Sequence, residues 1–208
     1  MATQSTTSTP GATSASGTAS TPSVAESLAL ITDEVRDVIA TLVARNDSAL
    51  DAAAVRLRSA DRVFVLGAGR SGLALRMTAM RLMHLGLDVH VVGDVTTPAI
   101  TAGDVLLVAS GSGTTGAIVR AADTAASVGA EIVAVTTAPR SRLAELADVT
   151  IVVPAAQKTD HDGNISAQYS GALFEQVVTL LGDALFHSLW QQSGASADEL
   201  WPRHANLE

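Results

Sequence analysis

The 208-residue chain contains no cysteine, which excludes disulfides and thiolate metal sites. Aromatic residues make up only 3% against 47% apolar residues overall, so the core is expected to be aliphatic, built from Ala, Val and Leu. Positive charge is scarce: 13 Lys and Arg face 21 Asp and Glu, a net charge of -8. That balance argues against a nucleic-acid partner, whose phosphates call for basic patches. No apolar run approaches the roughly 18 residues needed to span a bilayer. The N-terminus lacks the charged and apolar regions of a secretory signal. The expectation is a soluble, cytoplasmic protein with neither a nucleic-acid nor a membrane partner.

Apart from Met1 and Gln4, residues 1–22 are Ser, Thr, Ala, Gly and Pro, with no charged side chain. Such a stretch has too little apolar surface to offset chain entropy and reads as a disordered tail. Residues 23–208 read as a single domain. Ser23 to Glu26 has capping-box spacing, and Leu28, Ile31, Val35, Val38, Ile39, Leu42 and Val43 recur at helical period. A second helix is expected over 46–59. Five apolar runs then alternate with helical segments: 63–66, 88–92, 104–109, 131–136 and 149–153. The helices between and after them are expected at 71–85, 113–128, 141–147 and 172–192, with a further turn at 197–201. This alternation predicts an α/β fold, a doubly wound, five-stranded parallel sheet of flavodoxin-like topology with extra N-terminal helices. In such folds ligands sit at the carboxyl ends of the strands.

Two glycine-rich turns lie at such ends. Gly67-Ala-Gly-Arg-Ser-Gly72 follows the first strand and Ser110-Gly-Ser-Gly-Thr-Thr-Gly116 the third. A strand, a glycine turn and a helix start together favour an anion, because the first helical N–H groups lack partners and carry partial positive charge. If both turns face one crevice, they suit one phosphorylated small molecule. The candidate binding residues are Gly69, Arg70, Ser71, Ser110, Gly111, Ser112 and Thr115, with Arg70 either a charge partner for phosphate or paired to a nearby carboxylate. The bland alternative is two ordinary tight turns. The first turn also fits Gly-x-Gly-x-x-Gly, with Asp94 where a dinucleotide fold places its ribose acid. The polar Arg70 and Ser71, and the hydroxyl-rich second turn, fit that reading poorly.

The two turns, together with Met80-Arg-Leu-Met-His-Leu-Gly86 and Val91-Val-Gly-Asp-Val-Thr-Thr-Pro-Ala-Ile100, resemble the sugar isomerase (SIS) domain. Gly171-Ala-Leu-Phe-Glu-Gln176 and the terminal Arg203-His-Ala-Asn-Leu-Glu208 are similar to the more specific motifs of its 6-phospho-3-hexuloisomerase family. The likeness spans all but the tail. It departs from the family at Ala172, often Ser, at Thr114, often acidic, and at Ala68, often Arg. The resemblance implies interconversion of D-arabino-hex-3-ulose 6-phosphate and D-fructose 6-phosphate, a step of formaldehyde fixation in the ribulose monophosphate pathway. It implies no metal and no organic cofactor. The alternatives are an aldose–ketose isomerase of the arabinose 5-phosphate type and a non-catalytic sugar-phosphate-binding module.

Moving a carbonyl from C3 to C2 through a cis-enediol requires a base, and one carboxylate can remove and return the proton. Burial would raise its pKa toward the working pH. Glu175, in the first turn of an apolar helix, is the candidate; its alternative role is to complement the helix dipole. A histidine could move protons among the hydroxyls. Related SIS isomerases imply His204, reaching a neighbouring subunit's site, with His187 as the alternative. His84 and His90 read as packing or surface groups. Lys158 and Gln168 could touch sugar hydroxyls or face solvent. Asp160, His161 and Asp162 have no metal-ligand spacing that fits a known geometry and read as a solvated turn. The apolar faces of the first and last helices exceed what one sheet can cover, so a homo-oligomer, dimer or homotetramer, is expected.

Overall fold

The computed structural model describes residues 21–156 and 166–207. Nearly all of the expected tail, and Lys158, Asp160, His161 and Asp162, lie outside the described residues.

The chain begins with α1 (Val24–Ser59), whose start is closed by the capping box: Ser23 Oγ accepts from Glu26 N and Glu26 Oε2 from Ser23 N. The two helices expected here are present and meet end to end across a kink at Asn46, where φ is -126° and ψ is 16°. The buried Asn46 amide explains the bend. It donates to Leu42 O at 2.9 Å and Val152 O at 3.1 Å, and accepts from Val152 N at 3.0 Å. Its side chain thereby pairs with the backbone of a sheet-edge strand that would otherwise present unpaired groups.

Then follow β1 (Val63–Gly67), α2 (Gly69–Leu85), β2 (Val89–Val91), β3 (Val105–Ala109), α3 (Gly116–Ser127), β4 (Glu131–Thr136), α4 (Arg142–Leu146), β5 (Val149–Val152), α5 (Ala172–Ser193) and α6 (Ala197–Leu200). A 3-10 turn at Trp201–Arg203 leads into the tail. The strands pair in the order β2-β1-β3-β4-β5, all parallel, as the alternating pattern predicts.

Strand alternation sends residues to two cores. Val63, Val65, Val105, Leu107, Val133 and Ile151 pack under α1, α2 and α5. Phe64, Leu106, Val108, Ile132 and Ala134 pack under α3 and α4. Helices α2 and α5 approach closely because Gly182 faces Thr78; a Cβ at Gly182 would collide with the threonine hydroxyl. That close crossing positions the beginnings of α2 and α5 relative to each other.

Candidate active site

Register brings the two glycine turns together. Gly67, the last residue of β1, pairs with Ala109, the last of β3, so both turns leave the sheet from adjacent strands about 4.8 Å apart. The first turn is tighter than expected: α2 starts at Gly69 rather than Ser71, so Arg70 and Ser71 stand in its first helical turn. Gly69 takes φ 57°, and a Cβ on Gly67 would lie 2.7 Å from Gly72 N. Only glycine permits this approach.

The second turn is fixed from behind. Gly111 O accepts from Thr137 N at 3.0 Å, Thr136 Oγ1 at 3.0 Å and Thr137 Oγ1 at 2.8 Å. Helix α3 begins at Gly116, three residues later than expected, because 113–115 remain in the turn. Buried Ser110 shares a hydrogen bond with Thr115, Oγ to Oγ1, at 3.1 Å. Ser112 is exposed and accepts from Thr114 N at 3.3 Å.

Helix α5 enters against the same edge. Phe174 packs on Gly111. Glu175 is 6% exposed, and its Oε2 lies 3.2 Å from Arg70 Nε. Arg70 therefore pairs with a carboxylate, and that carboxylate is Glu175. Helices α2, α3 and α5 all start without a side-chain cap, at Ala68, Thr115 and Gly171. The starts of α1, α4 and α6 are capped by Ser23, Ser141 and Ser196. The uncapped starts leave N–H donors and partial positive charge at one edge, beside a buried acid. Such an arrangement can hold an oxyanion and expose a nearby carbon to a base.

Sequence reasoning did not single out Glu34, on α1. Its carboxylate accepts from Ser166 Oγ at 2.7 Å, Ala167 N at 2.7 Å and Gln168 Nε2 at 2.9 Å. Burial works to raise its pKa, but these three donors outweigh burial and hold it below its ordinary value. Gln168 in turn accepts, at Oε1, from Gln176 Nε2 at 2.8 Å. The partners lie more than 130 residues from Glu34 in sequence, so no local pattern announces the contact. A cavity of about 490 Å³ lies between the first turns of α1, Arg70 and this segment, and a second of about 180 Å³ lies between α2 and α5.

His204 is not beside Glu175 of its own chain. Its ring stacks on His84 at 4.0 Å and lies 4.6 Å from that of Trp201. Arg203 Nη1 donates to His84 O at 3.3 Å. His84 ends α2 while Arg70 begins it, a separation of roughly 20 Å along the helix. Burial, then the neighbouring His204 and Arg81, hold the pKa of His84 below its ordinary value. His187 is exposed, edge-on to Trp190, and about 18 Å along α5 from Glu175. Asp94 pairs with Arg76 at 2.9 Å. Among the described residues no cluster of His, Asp and Glu could hold a metal ion, and no helix is long and apolar enough to cross a membrane.

Comparison with known proteins agrees with this architecture. Residues 56–180 match the SIS domain family. The chain is 56% identical to a 3-hexulose-6-phosphate isomerase of Mycobacterium gastri, over 89% of this chain and 92% of that protein. A Bacillus subtilis protein of the same name is 37% identical over 76% of this chain and 86% of its own length. A solved structure from Methanococcus jannaschii, described as inferring a 3-hexulose-6-phosphate isomerase function, superposes with a TM-score of 0.75. It is 28% identical and covers 88% of this chain and 99% of its own. With its order of strands, its paired glycine turns and these relatives, the chain belongs to the SIS domain family.

Proposed function

We propose that this protein interconverts D-arabino-hex-3-ulose 6-phosphate and D-fructose 6-phosphate, serving formaldehyde fixation in the ribulose monophosphate pathway. The observation that carries the reading is a buried carboxylate, Glu175, set at the uncapped edge between two hydroxyl-bearing turns. The names of the similar proteins support the same sugar and do not favour the arabinose 5-phosphate or non-catalytic readings.

The phosphate binds the N–H groups of Gly69, Arg70, Ser71, Gly111 and Ser112 and the hydroxyls of Ser71, Ser110, Ser112 and Thr115. Arg70 neutralises charge from the side of α2. Glu175 takes the proton from C2 of the hexulose, giving a cis-enediol. The hydroxyl proton passes from O2 to O3, and Glu175 returns its proton to C3, leaving the carbonyl at C2. No atom is gained or lost, and the residues named suffice without a metal or organic cofactor.

His204 serves as the second acid–base group, opening the furanose and moving hydroxyl protons; His187 is the alternative. Because His204 is docked at the far end of α2, it acts in a neighbouring subunit's site. Exposed Leu73, Met77 and Met80 on α2 and Leu180 on α5 supply apolar surface for that association, a dimer or tetramer in the cytoplasm. A coupled assay supplying the hexulose phosphate and reading fructose 6-phosphate tests the activity, with arabinose 5-phosphate as control. Conversion of the first and not the second is expected; conversion of neither overturns the reading.

A further inference from the structure

The hydrogen bonds that Glu34 accepts fix more than a loop. A carboxylate only accepts, so Gln168 must turn its NH2 group toward Glu34 and its carbonyl oxygen toward Gln176. Gln176 must then present its own NH2 group to Gln168. The orientation of both amides is thereby dictated from α1, 142 residues away at Gln176 by the numbering. What remains at Gln176 is its carbonyl oxygen, Oε1, shielded from solvent and without a hydrogen-bond partner among the described residues. A shielded acceptor without a donor is costly, so it marks a place where a donor belongs. Gln176 follows Glu175 directly and borders both cavities that meet at Arg70.

We propose that Gln176 is a specificity-determining residue of this site, its Oε1 accepting a hydrogen bond from a hydroxyl of the sugar chain, and that Glu34 is its positioning residue, acting through Gln168. The inference rests on the isomerase reading for the identity of the sugar. The amide is held at its NH2 corner, which leaves Oε1 as the corner that a hydroxyl can meet. An open-chain sugar phosphate brings donors along its whole length. A site with one acceptor of fixed orientation discriminates against an analogue that lacks the matching hydroxyl.

The test uses the full-length protein and the variants Gln176→Leu, Glu34→Gln and the double substitution, each checked for native melting. Steady-state KM and kcat with the hexulose phosphate are measured beside the calorimetric Kd for fructose 6-phosphate. Gln176→Leu should raise KM and Kd about tenfold, the scale of one hydrogen bond. Glu34→Gln, which frees the amides to flip, should raise both about threefold. The double variant should be no weaker than Gln176→Leu alone, because Glu34 has no other route to the sugar. Native binding by Gln176→Leu, or losses that multiply in the double variant, would overturn the proposal. If the native protein binds fructose 6-phosphate without isomerising it, the isomerase reading fails and the Gln176 proposal is decided on Kd. If it binds neither sugar phosphate, both fail.

Discussion

The two ends of the sheet are built on opposite plans. At the amino end, buried and half-buried charged groups are paired within the chain. Asp104, 1% exposed, accepts from Arg62 Nε at 2.9 Å and Nη2 at 2.6 Å, and from Thr101 N at 2.6 Å and Oγ1 at 3.0 Å. Asp148 accepts from Ile132 N at 2.8 Å, and Arg56 pairs with Glu131. At the carboxyl end, three helices start uncapped and two glycine turns hold N–H groups at the edge. One end pairs its charged groups internally and contributes stability. The other keeps donors available and is the end we propose binds the sugar phosphate, so polar groups at the two ends should respond differently to substitution.

The largest expected effect is at the amino end. Asp104→Ala removes the acceptor of four hydrogen bonds and should cost about 3 kcal/mol of unfolding free energy, measured by chemical denaturation, while kcat at a permissive temperature is retained. An equal loss of kcat would blur the division between the two ends. Gly182→Ala should come next. The added methyl meets Thr78 and forces α2 from α5, costing about 1–3 kcal/mol. Unlike Asp104→Ala it should also lower kcat/KM, because those helices carry Arg70 and Glu175.

A cap built into the open end should invert the pattern. Ala68→Asp supplies the missing N-cap of α2, so stability should rise by about 0.5–2 kcal/mol. Phosphate binding should weaken, since the new carboxylate occupies the donors and repels the anion; calorimetry with fructose 6-phosphate measures it. Tighter binding would refute the assignment of that helix start to the phosphate.

The smallest effect is pH dependence. Burial raises the pKa of Asp104, but the bonds from Arg62 and Thr101 outweigh it and hold it below the ordinary 3.8. Glu34 is likewise held below the ordinary 4.5. A depressed carboxylate contributes stability that is fully present above its unfolded pKa and lost as pH falls through the folded value. Stability should therefore be flat near neutrality and decline below about pH 4. Asp104→Asn should flatten that decline, as followed by thermal melts at several pH values.

Much of this was legible in the sequence because it is local. Apolar period gave the five strands and their helices, and parallel crossovers limited their order. The glycine turns marked the edge where the two loops meet, and Glu175 stood out as an acid at the start of an apolar helix. What escaped depends on contacts between distant segments. The break between helices at Asn46 was legible, but nothing nearby reveals that its amide pairs with Val152. Glu34 was not singled out, yet it orients Gln168 and Gln176 from across the fold. His204 read as part of a tail, and its stacking on His84 brings together residues 120 positions apart by their numbering. Periodicity reports which face of an element is buried and says nothing of which polar group waits there.

The most direct test of the central claim is proton exchange. With fructose 6-phosphate in D2O, the native protein should exchange the C3 hydrogen for deuterium, followed by NMR. Glu175→Gln should bind the sugar phosphate with similar affinity yet exchange it at least about a hundredfold more slowly. Exchange at the native rate in Glu175→Gln would contradict the account.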